Sequence, residues 1–223
     1  MTDPSDIPVS GAPDPSVDEL AAATTVFGAQ LDLARGFVRH LSTSGIDRGL
    51  LGPREVPRLW GRHVLNCAVV AELMDSGATV VDVGSGAGLP GLAIAIARPD
   101  LELHLVEPLE RRVTWLNEVV GDLALANVTV HRARAEQVAG RVSGHYVTAR
   151  AVSALSTLAG WTIPLAEPGG EVLAIKGRSA GDEIEKARKI IRKLGGGPAE
   201  VLVAGADVLA EPTTVVRIPV RIP

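Results

Sequence analysis

The chain has 223 residues, a net charge of −4 and one cysteine, Cys67. This length is enough to bury a sizeable core, and a lone cysteine excludes an intrachain disulfide framework and a multi-cysteine metal site. The longest apolar runs are too short to span a bilayer, and residues 1–19 lack the pattern of a signal peptide. We therefore expect a soluble, cytoplasmic protein that binds no membrane. No metal is expected either, because the five histidines lack ligand spacing: His40, His63, His104, His131 and His145.

The negative charge is concentrated near the start of the chain. Residues 1–34 contain six acidic and no basic residues, which leaves 22 basic and 20 acidic residues in the remainder. The segment 176–193 carries seven basic and three acidic residues. Such a patch is compatible with contacts to phosphate groups, and a solvated helix face is the alternative explanation.

The first 76 residues are predicted to form a tail followed by helices. Residues 1–16 contain four prolines and several acids, which is typical of a disordered tail. Apolar periodicity predicts a helix over 17–41 and a second helical region over 58–74, separated by a Gly/Pro-rich link. Residues 17–76 are therefore expected to form an N-terminal helical extension.

From residue 77 to 223 predicted strands alternate with predicted helices. This alternation is typical of an α/β domain with a mostly parallel, doubly wound sheet. Strands are predicted at 79–84, 102–107, 127–132, 145–150 and 170–176, and helices at 90–97, 109–123, 154–166 and 182–194. "SAGD" at 179–182 resembles a capping box at the start of the last helix. Two final strands, 199–204 and 213–220, have no helix between them and should form an antiparallel pair at one edge.

The stretch "TVVDVGSGAGLPGLAIAIARP" at residues 79–99 is the strongest local signal for a ligand site. A predicted strand runs into a glycine-rich loop and then into a helix, which is the arrangement of a nucleotide-binding site. Gly86, Gly88 and Gly91 match the dinucleotide pattern G-x-G-x-x-G, and Asp82-x-Gly84-x-Gly86-x-Gly88 matches the pattern of S-adenosylmethionine (SAM) enzymes. Glu107 ends the next strand, where a carboxylate would bind ribose hydroxyls of either cofactor.

Three features favour SAM over a dinucleotide. Asp82 could receive the ammonium group of a methionine moiety, whereas it would repel a pyrophosphate. Pro90, at the start of the helix, removes an N–H donor that a pyrophosphate would use. The terminal antiparallel strand pair is expected of SAM-dependent methyltransferases. The alternative to a cofactor site is that these glycines serve only the tight packing of the strand against the helix.

The identity of the methylated atom is inferred by elimination. The Asn/Asp-Pro-Pro-aromatic motif of many amine methyltransferases is not present after the fourth strand, where the chain reads "TARAVS". Methylation of pyrimidine carbon-5 needs a cysteine nucleophile, and Cys67 lies well before the cofactor loop. Since no catalytic base is evident, an acceptor with an available lone pair, such as guanine N7, fits best, because alignment alone then supplies most of the catalysis.

Several motifs together resemble one enzyme family. "VVDVGSGAGLPGLAIAIARPDLELHLVEPLERRVTWL", "ARAEQV", "TARAVSAL" and "LAIKGR" are similar to the small-subunit (16S) ribosomal RNA guanine-N7 methyltransferases called RsmG or GidB. The resemblance covers about residues 45–220. It implies a Rossmann-like class I methyltransferase with a mostly parallel seven-stranded sheet, SAM as cofactor and 16S rRNA of the small subunit as partner. We expect a monomer.

The resemblance also implies roles for individual residues. SAM would contact the glycine loop and residues beyond the third strand, which adds Leu89, Ala135 and Glu136 to the positions named above. Arg150 would border both cofactor and substrate. Arg134 and Lys176 match basic positions around the methyl-transfer pocket, where they could hold phosphate or the guanine O6. The predicted catalytic residues are therefore Arg134, Arg150 and Lys176, and the predicted cofactor-binding residues are Asp82, Gly84, Gly86, Gly88, Leu89, Glu107, Ala135, Glu136 and Arg150.

The chain departs from the family pattern in residues 45–66. Where the family often has His-x-x-Asp, this chain has His63 followed three residues later by Asn66. His63 is therefore either a substrate contact or a buried structural histidine. The alternative functions are an NAD(P)-binding oxidoreductase, a small-molecule SAM methyltransferase and a non-catalytic SAM-binding module.

Overall fold

The computed structural model describes residues 12–150 and 153–221. Within these ranges the α-helices are α1 Val17–Phe27, α2 Leu31–Ser42, α3 Ser44–Asp47, α4 Asn66–Ala68, α5 Gly91–Ala97, α6 Glu110–Asp122, α7 Ala135–Val138, α8 Leu155–Thr162 and α9 Ala180–Lys193. The strands are β1 Thr79–Val83, β2 Glu102–Val106, β3 Val128–His131, β4 Gly144–Arg150, β5 Ala166–Ile175, β6 Glu200–Ala204 and β7 Thr213–Pro219. No helix in this part of the chain has the length and apolar character of a membrane span.

The seven strands form one sheet in the order β3-β2-β1-β4-β5-β7-β6. Strands β1 to β5 are parallel, and β7 pairs antiparallel with both β5 and β6. The predicted mostly parallel sheet with an antiparallel edge pair is confirmed. After β3 the chain returns to the other side of β1, so the topological switch lies between β1 and β4. Ligands of open α/β sheets bind beyond the carboxyl ends of the strands at such a point.

Helices cover both faces of the sheet, and side chains of the strands pack into an apolar core on each face. In β4, Val147 and Ala149 belong to the core that includes residues of α8 and α9. Tyr146 points the other way and joins the core of the opposite face. Since successive side chains of a strand alternate between faces, Arg150 lies on the same face as Tyr146.

The N-terminal helices share a core with the glycine-loop half of the sheet. Phe37, Leu59 and Trp60 belong to one buried cluster with Leu92 of α5 and Trp115 of α6. The extension therefore forms part of the wall that surrounds the glycine-loop region.

The start of the helical region differs from the prediction. Ser16 Oγ accepts the N–H of Glu19 at 3.2 Å and Glu19 Oε2 accepts the N–H of Ser16 at 2.9 Å, so a capping box begins α1. Trp60 Nε1 donates to the carbonyl of Pro13 at 3.0 Å. Within the predicted tail, Pro13 and Ser16 therefore make defined contacts, whereas residues 1–11 lie outside the described residues.

The predicted helices at 17–41 and 58–74 are each interrupted. The first breaks at Gly28, which has φ of +49°, and a 3₁₀ turn over Gly28–Gln30 leads into α2. The second is a series of short segments: 3₁₀ Pro53–Arg58, π-helical Leu59–Leu65, α4 and 3₁₀ Val69–Leu73. The capping box predicted at Ser179 was wrong, because its side chain caps no backbone N–H of α9.

Candidate active site

The glycine loop joins β1 to α5 in a tight, well-paired turn. Gly84 has φ of +73°, a region that glycine adopts without strain, and its N–H donates to the carbonyl of Val106 at 2.8 Å. Gly88 also has φ of +73°, and its N–H donates to Ser85 O at 2.7 Å. The loop therefore ties the carboxyl end of β1 to that of β2.

Glu107 follows β2 and braces the same loop. Its Oε2 accepts the N–H of Gly86 at 3.0 Å, and its Oε1 accepts the N–H of Leu109 at 3.0 Å. Arg112 NH1 lies 3.5 Å from Oε2. Glu107 is 1 % exposed, yet it lines the cavity described below. Its oxygens are thus fixed by backbone donors at the place where the sequence predicts ribose binding.

Asp82 lies in β1, just before the loop, and is fully buried. Its Oδ2 accepts the N–H of Gly91 at 3.2 Å and its Oδ1 accepts the hydroxyl of Thr148 at 3.1 Å. Burial raises the pKa of this carboxyl to about 6, although these hydrogen bonds oppose the shift. Asp82 is not among the residues that line the cavity, and its contact with the cofactor ammonium stays a prediction. Asp82 joins β1, β4 and the start of α5.

A cavity of about 610 Å³ opens at the carboxyl ends of the strands. Its walls come from the end of β1, the end of β2 and the turn after it, the segment after β3, the last residue of β4 and one side chain each of α6 and α8. The lining residues are Val83, Gly84, Val106, Glu107, Pro108, Leu109, Arg112, Ala133, Arg134, Ala135, Glu136, Arg150 and Trp161. Both the size and the position at the switch point are typical of a small-molecule site.

The cavity brings together most, but not all, of the predicted site residues. The predicted residues that line it are Gly84, Glu107, Arg134, Ala135, Glu136 and Arg150. The predicted residues outside its walls are Asp82, Gly86, Gly88, Leu89 and Lys176. Leu89 is packed into the apolar core because the loop turns inward before α5.

Arg150, the last residue of β4, is held from the side of the N-terminal helices. Its NH2 lies 2.6 Å from His63 Nδ1, and its NH1 lies 2.9 Å from Cys67 Sγ and 3.4 Å from the carbonyl oxygen of His63. His63 and Cys67 are four residues apart on consecutive helical segments, so both reach the same side chain. His63 Nε2 in turn lies 2.6 Å from Glu55 Oε2.

These contacts fix the tautomer of His63. A guanidinium group has only donors, so Nδ1 must accept from Arg150 and Nε2 must carry the hydrogen that is donated to Glu55. Burial lowers the pKa of His63, and the charge of Arg150 lowers it further, while Glu55 acts in the opposite direction. Burial also raises the pKa of the Cys67 thiol. At neutral pH both groups are therefore uncharged neighbours of Arg150.

Lys176 lies close to the site but faces the protein. Its Nζ donates to the carbonyl of Ser153 at 2.7 Å and lies 2.9 Å from Glu183 Oε2, and its side chain is 10 % exposed. Glu183 Oε2 also accepts the N–H of Leu155 at the start of α8. The geometry assigns Lys176 to the support of Ser153 and, through Glu183, of the start of α8.

Seven of the residues that line the cavity were not predicted, and two of them lie in helices. Trp161 of α8 and Arg112 of α6 both line it. Trp161 stands in none of the quoted motifs, and Arg112 stands in the first of them without a role assigned to it. Only the packing of those helices against the sheet shows which helical side chain reaches the carboxyl edge. Arg134 was predicted, and it is exposed at the rim before α7.

The residues of the cavity suit an adenosine cofactor. The fixed Glu107 carboxylate can accept hydroxyl hydrogens, Gly84 lets the main chain approach a ligand, and Ala135 and Trp161 offer apolar surface. Among the described residues, no group of three or more potential metal ligands occurs.

Comparison with known proteins connects this geometry to a family. The model of the family GidB, "rRNA small subunit methyltransferase G", matches residues 30–208. The chain belongs to this family. It is 68 % identical over 200 residues to the ribosomal RNA small subunit methyltransferase G of Arthrobacter sp. (strain FB24), with 90 % of this chain and 93 % of the relative covered. It is 66 % identical to the protein of the same name from Pseudarthrobacter chlorophenolicus, over 92 % of this chain and 95 % of the relative.

A solved structure supports the fold of the chain. The SAM-dependent O-methyltransferase of Thermotoga maritima superposes with a TM-score of 0.53 at 12 % identity, covering 70 % of this chain and 64 % of that one. This likeness concerns the fold alone. The resemblance inferred from the sequence motifs is confirmed, and a SAM methyltransferase is favoured over an NAD(P)-binding oxidoreductase.

Proposed function

We propose that the protein transfers a methyl group from SAM to N7 of a guanine in 16S ribosomal RNA, acting as a monomer on the small subunit in the cytoplasm. The observation that carries the proposal is the cavity at the carboxyl ends of β1, β2 and β4, lined by Glu107, Arg134 and Arg150, in a chain of the GidB family. When bound, SAM supplies an electrophilic methyl group. The protein then has to align a nucleophile with it.

The state of the polar groups near the cavity supports N7 as the acceptor. Both oxygens of Glu107 already accept backbone N–H groups, and we assign their remaining lone pairs to the ribose hydroxyls of SAM. His63 uses Nδ1 toward Arg150 and Nε2 toward Glu55, so it has no lone pair left for a substrate proton. An acceptor that had to lose a proton would need a base, and the other carboxylate that lines the cavity, Glu136, belongs to the segment that we assign to the adenine. Guanine N7 carries a lone pair at neutral pH and needs no base.

The cavity residues divide into cofactor and substrate contacts. Glu107 would hold the ribose hydroxyls, and the segment Ala135–Glu136 with Trp161 would flank the adenine. Arg150 and Arg134 would face the acceptor nucleotide, because both are cationic side chains of the cavity and neither forms a salt bridge with a described residue. A guanidinium group matches a phosphate or the guanine O6 and N7 edge.

A second surface suits the phosphate backbone of RNA. A groove of about 590 Å³ lies along the second half of α9 and carries four basic side chains and one acidic one: Arg188, Lys189, Arg192, Arg221 and Glu185. None of these basic groups forms a salt bridge with a described residue. The α9 helix begins beside the carboxyl end of β5 and has 14 residues, so the groove lies up to about 20 Å from that edge. An RNA substrate would contact both places.

Matched charge removals on α9 test the groove. Arg188→Gln with Arg192→Gln removes two charges inside it, whereas Lys186→Gln with Lys193→Gln removes two exposed charges of the same helix outside it. We expect the first pair to weaken RNA binding and to reduce the salt slope by about 2, with little change in SAM affinity. Equal effects of the two pairs would mean that α9 is only a solvated cationic face.

Incorporation of labelled methyl groups tests the function itself. The protein is incubated with methyl-labelled SAM and undermethylated small subunits, and the label is traced to RNA or protein. We expect about one methyl group per subunit in 16S rRNA and none with fully methylated subunits. Label in a ribosomal protein or in a small molecule, or calorimetric binding of NAD in place of SAM, would contradict the proposal.

A further inference from the structure

The contact chain Glu55–His63–Arg150 links the N-terminal helical region to the cavity. Glu55 belongs to the 3₁₀ segment, His63 to the π-helical segment and Arg150 to the end of β4, and both links are 2.6 Å long. The His63 side chain is 7 % exposed, and Glu55 is 29 % exposed. A partly solvated carboxylate is thus connected through a buried imidazole to a cavity arginine 87 residues away from that imidazole in the sequence.

The chain specifies the orientation of the guanidinium. The guanidinium of Arg150 forms three contacts, with His63 Nδ1, His63 O and Cys67 Sγ, all on the side of the N-terminal helical region. The hydrogen on Nε and the second hydrogen on NH2 have no partner among the described residues. Because Arg150 lines the cavity, the orientation of its guanidinium plane decides in which direction these remaining N–H groups point.

We propose that His63 and Glu55 are positioning residues for methyl transfer, which hold Arg150 in the orientation that receives the acceptor nucleotide, provided that His63 is neutral. Glu55 accepts from Nε2 and thereby keeps the lone pair on Nδ1, where Arg150 needs an acceptor. Protonation of His63 places an N–H on Nδ1 opposite the guanidinium, which breaks the link. The proposal rests on the proposed function, because it uses Arg150 as a substrate contact.

The charges around His63 set the direction of the pH response. The groups that face it are Glu55 and Arg62 from its own helical region, Cys67 from α4 and Arg150 from β4, and Arg58 lies 3.7 Å from Glu55. Burial, Arg150 and Arg62 lower the pKa of His63, so methyl transfer should decline only below about pH 6.5, the ordinary range of histidine. Loss of the Glu55 charge should lower that pKa further and move the decline to lower pH.

Variants of His63 and Glu55 distinguish a role in positioning Arg150 from a role in stabilising the fold. We expect His63→Leu to reduce the single-turnover rate at saturating SAM and RNA at least tenfold at pH 7.5, with SAM affinity within about threefold of the unchanged protein. His63→Asn offers an amide oxygen near the place of Nδ1 and should recover part of that loss, without the acid limb of the pH profile. Glu55→Gln should shift the acid limb to lower pH.

Nitrogen NMR of the imidazole provides a readout that does not depend on methyl transfer. We expect the Nε2–H tautomer in the unchanged protein, a lower titration midpoint of His63 in Glu55→Gln and a higher one in Arg150→Gln. A wild-type rate for His63→Leu, an acid limb that persists in His63→Asn, or the Nδ1–H tautomer would overturn the proposal. If the protein methylates no rRNA but shows these NMR shifts, the network exists and the proposed function fails instead.

Discussion

Glu107 Oε2 accepts the N–H of Gly86 at 3.0 Å, so the residue that directly follows the second strand holds the glycine loop that follows the first. The second oxygen of the same carboxylate accepts the N–H of Leu109. One side chain thereby fixes both segments at the floor of the cavity. This pairing explains why an acidic residue stands 21 positions after Gly86, and it makes Glu107 the first target for a test of the cofactor site.

Replacement of Glu107 should weaken SAM binding. Glu107→Ala removes the acceptor for the ribose hydroxyls and leaves the N–H of Gly86 without its partner. We expect a loss of about 1.5–3 kcal/mol, the range for hydrogen bonds to charged groups, measured by calorimetry. Glu110→Ala is the matched control, because Glu110 is exposed and pairs with Arg132 outside the cavity. An unchanged dissociation constant in Glu107→Ala would remove it from the cofactor site.

Trp161 should report the arrival of the cofactor. It is the half-buried tryptophan at the cavity, whereas Trp60 and Trp115 are buried in the core. A ligand beside Trp161 changes the polarity around its indole, so SAM should alter the fluorescence in a saturable manner. Trp161→Phe should abolish this change while Trp60 and Trp115 still emit. A full response in the Phe variant would place the ligand elsewhere.

Lys176 should contribute to stability more than to chemistry. Its ammonium group is largely buried between Ser153 O and Glu183, and its loss leaves Glu183 with one strong partner fewer. Burial alone would raise the pKa of Glu183, but Lys176 and the N–H of Leu155 hold it below the ordinary value. We expect Lys176→Met to reduce the free energy of unfolding by about 1–3 kcal/mol in urea titrations.

The opposite result would restore the role that the family resemblance implies for Lys176. If Lys176→Met keeps the stability of the parent protein but loses methyl transfer at saturating substrates, the lysine acts on the substrate. A double-mutant cycle with Glu183→Gln then measures the coupling of the pair separately from activity.

Asp82 should give the protein an unusual pH dependence of stability. Its folded-state pKa is raised from 3.8 to about 6 by burial, so between these values the folded state binds more protons than the unfolded state. The free energy of unfolding should therefore fall as pH rises through this window, by up to about 3 kcal/mol from this group. Asp82→Asn lacks the titration, and the difference between the parent and this variant isolates it. A difference that is constant from pH 4 to pH 7 would contradict the assignment.

Patterns local to the chain predicted most of the fold. The five parallel strands, the glycine loop and the antiparallel edge pair follow from apolar runs separated by helical segments. Strands and helices can be told apart because apolar residues recur at a different spacing in each. The breaks at Gly28 and across residues 53–73 were missed, since an apolar helical pattern does not distinguish one long helix from a chain of short ones.

The site was predicted where it depends on a motif and missed where it depends on packing. Glu107 and Gly84 belong to patterns of fixed spacing, and the structure places both at the cavity. The link from Arg150 to His63 spans 87 residues and two elements, and nothing in the local sequence encodes it. The position of Asp82 in the strand likewise does not reveal that its carboxylate accepts hydrogen bonds from Gly91 of α5 and from Thr148.

The identity of the methylated atom and the pH dependence of its formation test the central claim most directly. In single-turnover reactions with undermethylated small subunits, nuclease digestion and mass spectrometry should find N7-methylguanosine at one position of 16S rRNA. The rate at saturating SAM and RNA should be nearly flat from roughly pH 6.5 to 8.5, because no proton has to leave N7 before the methyl group arrives. A methyl group on an exocyclic amine or a carbon, or a tenfold rise in rate per pH unit across that window, would contradict the account.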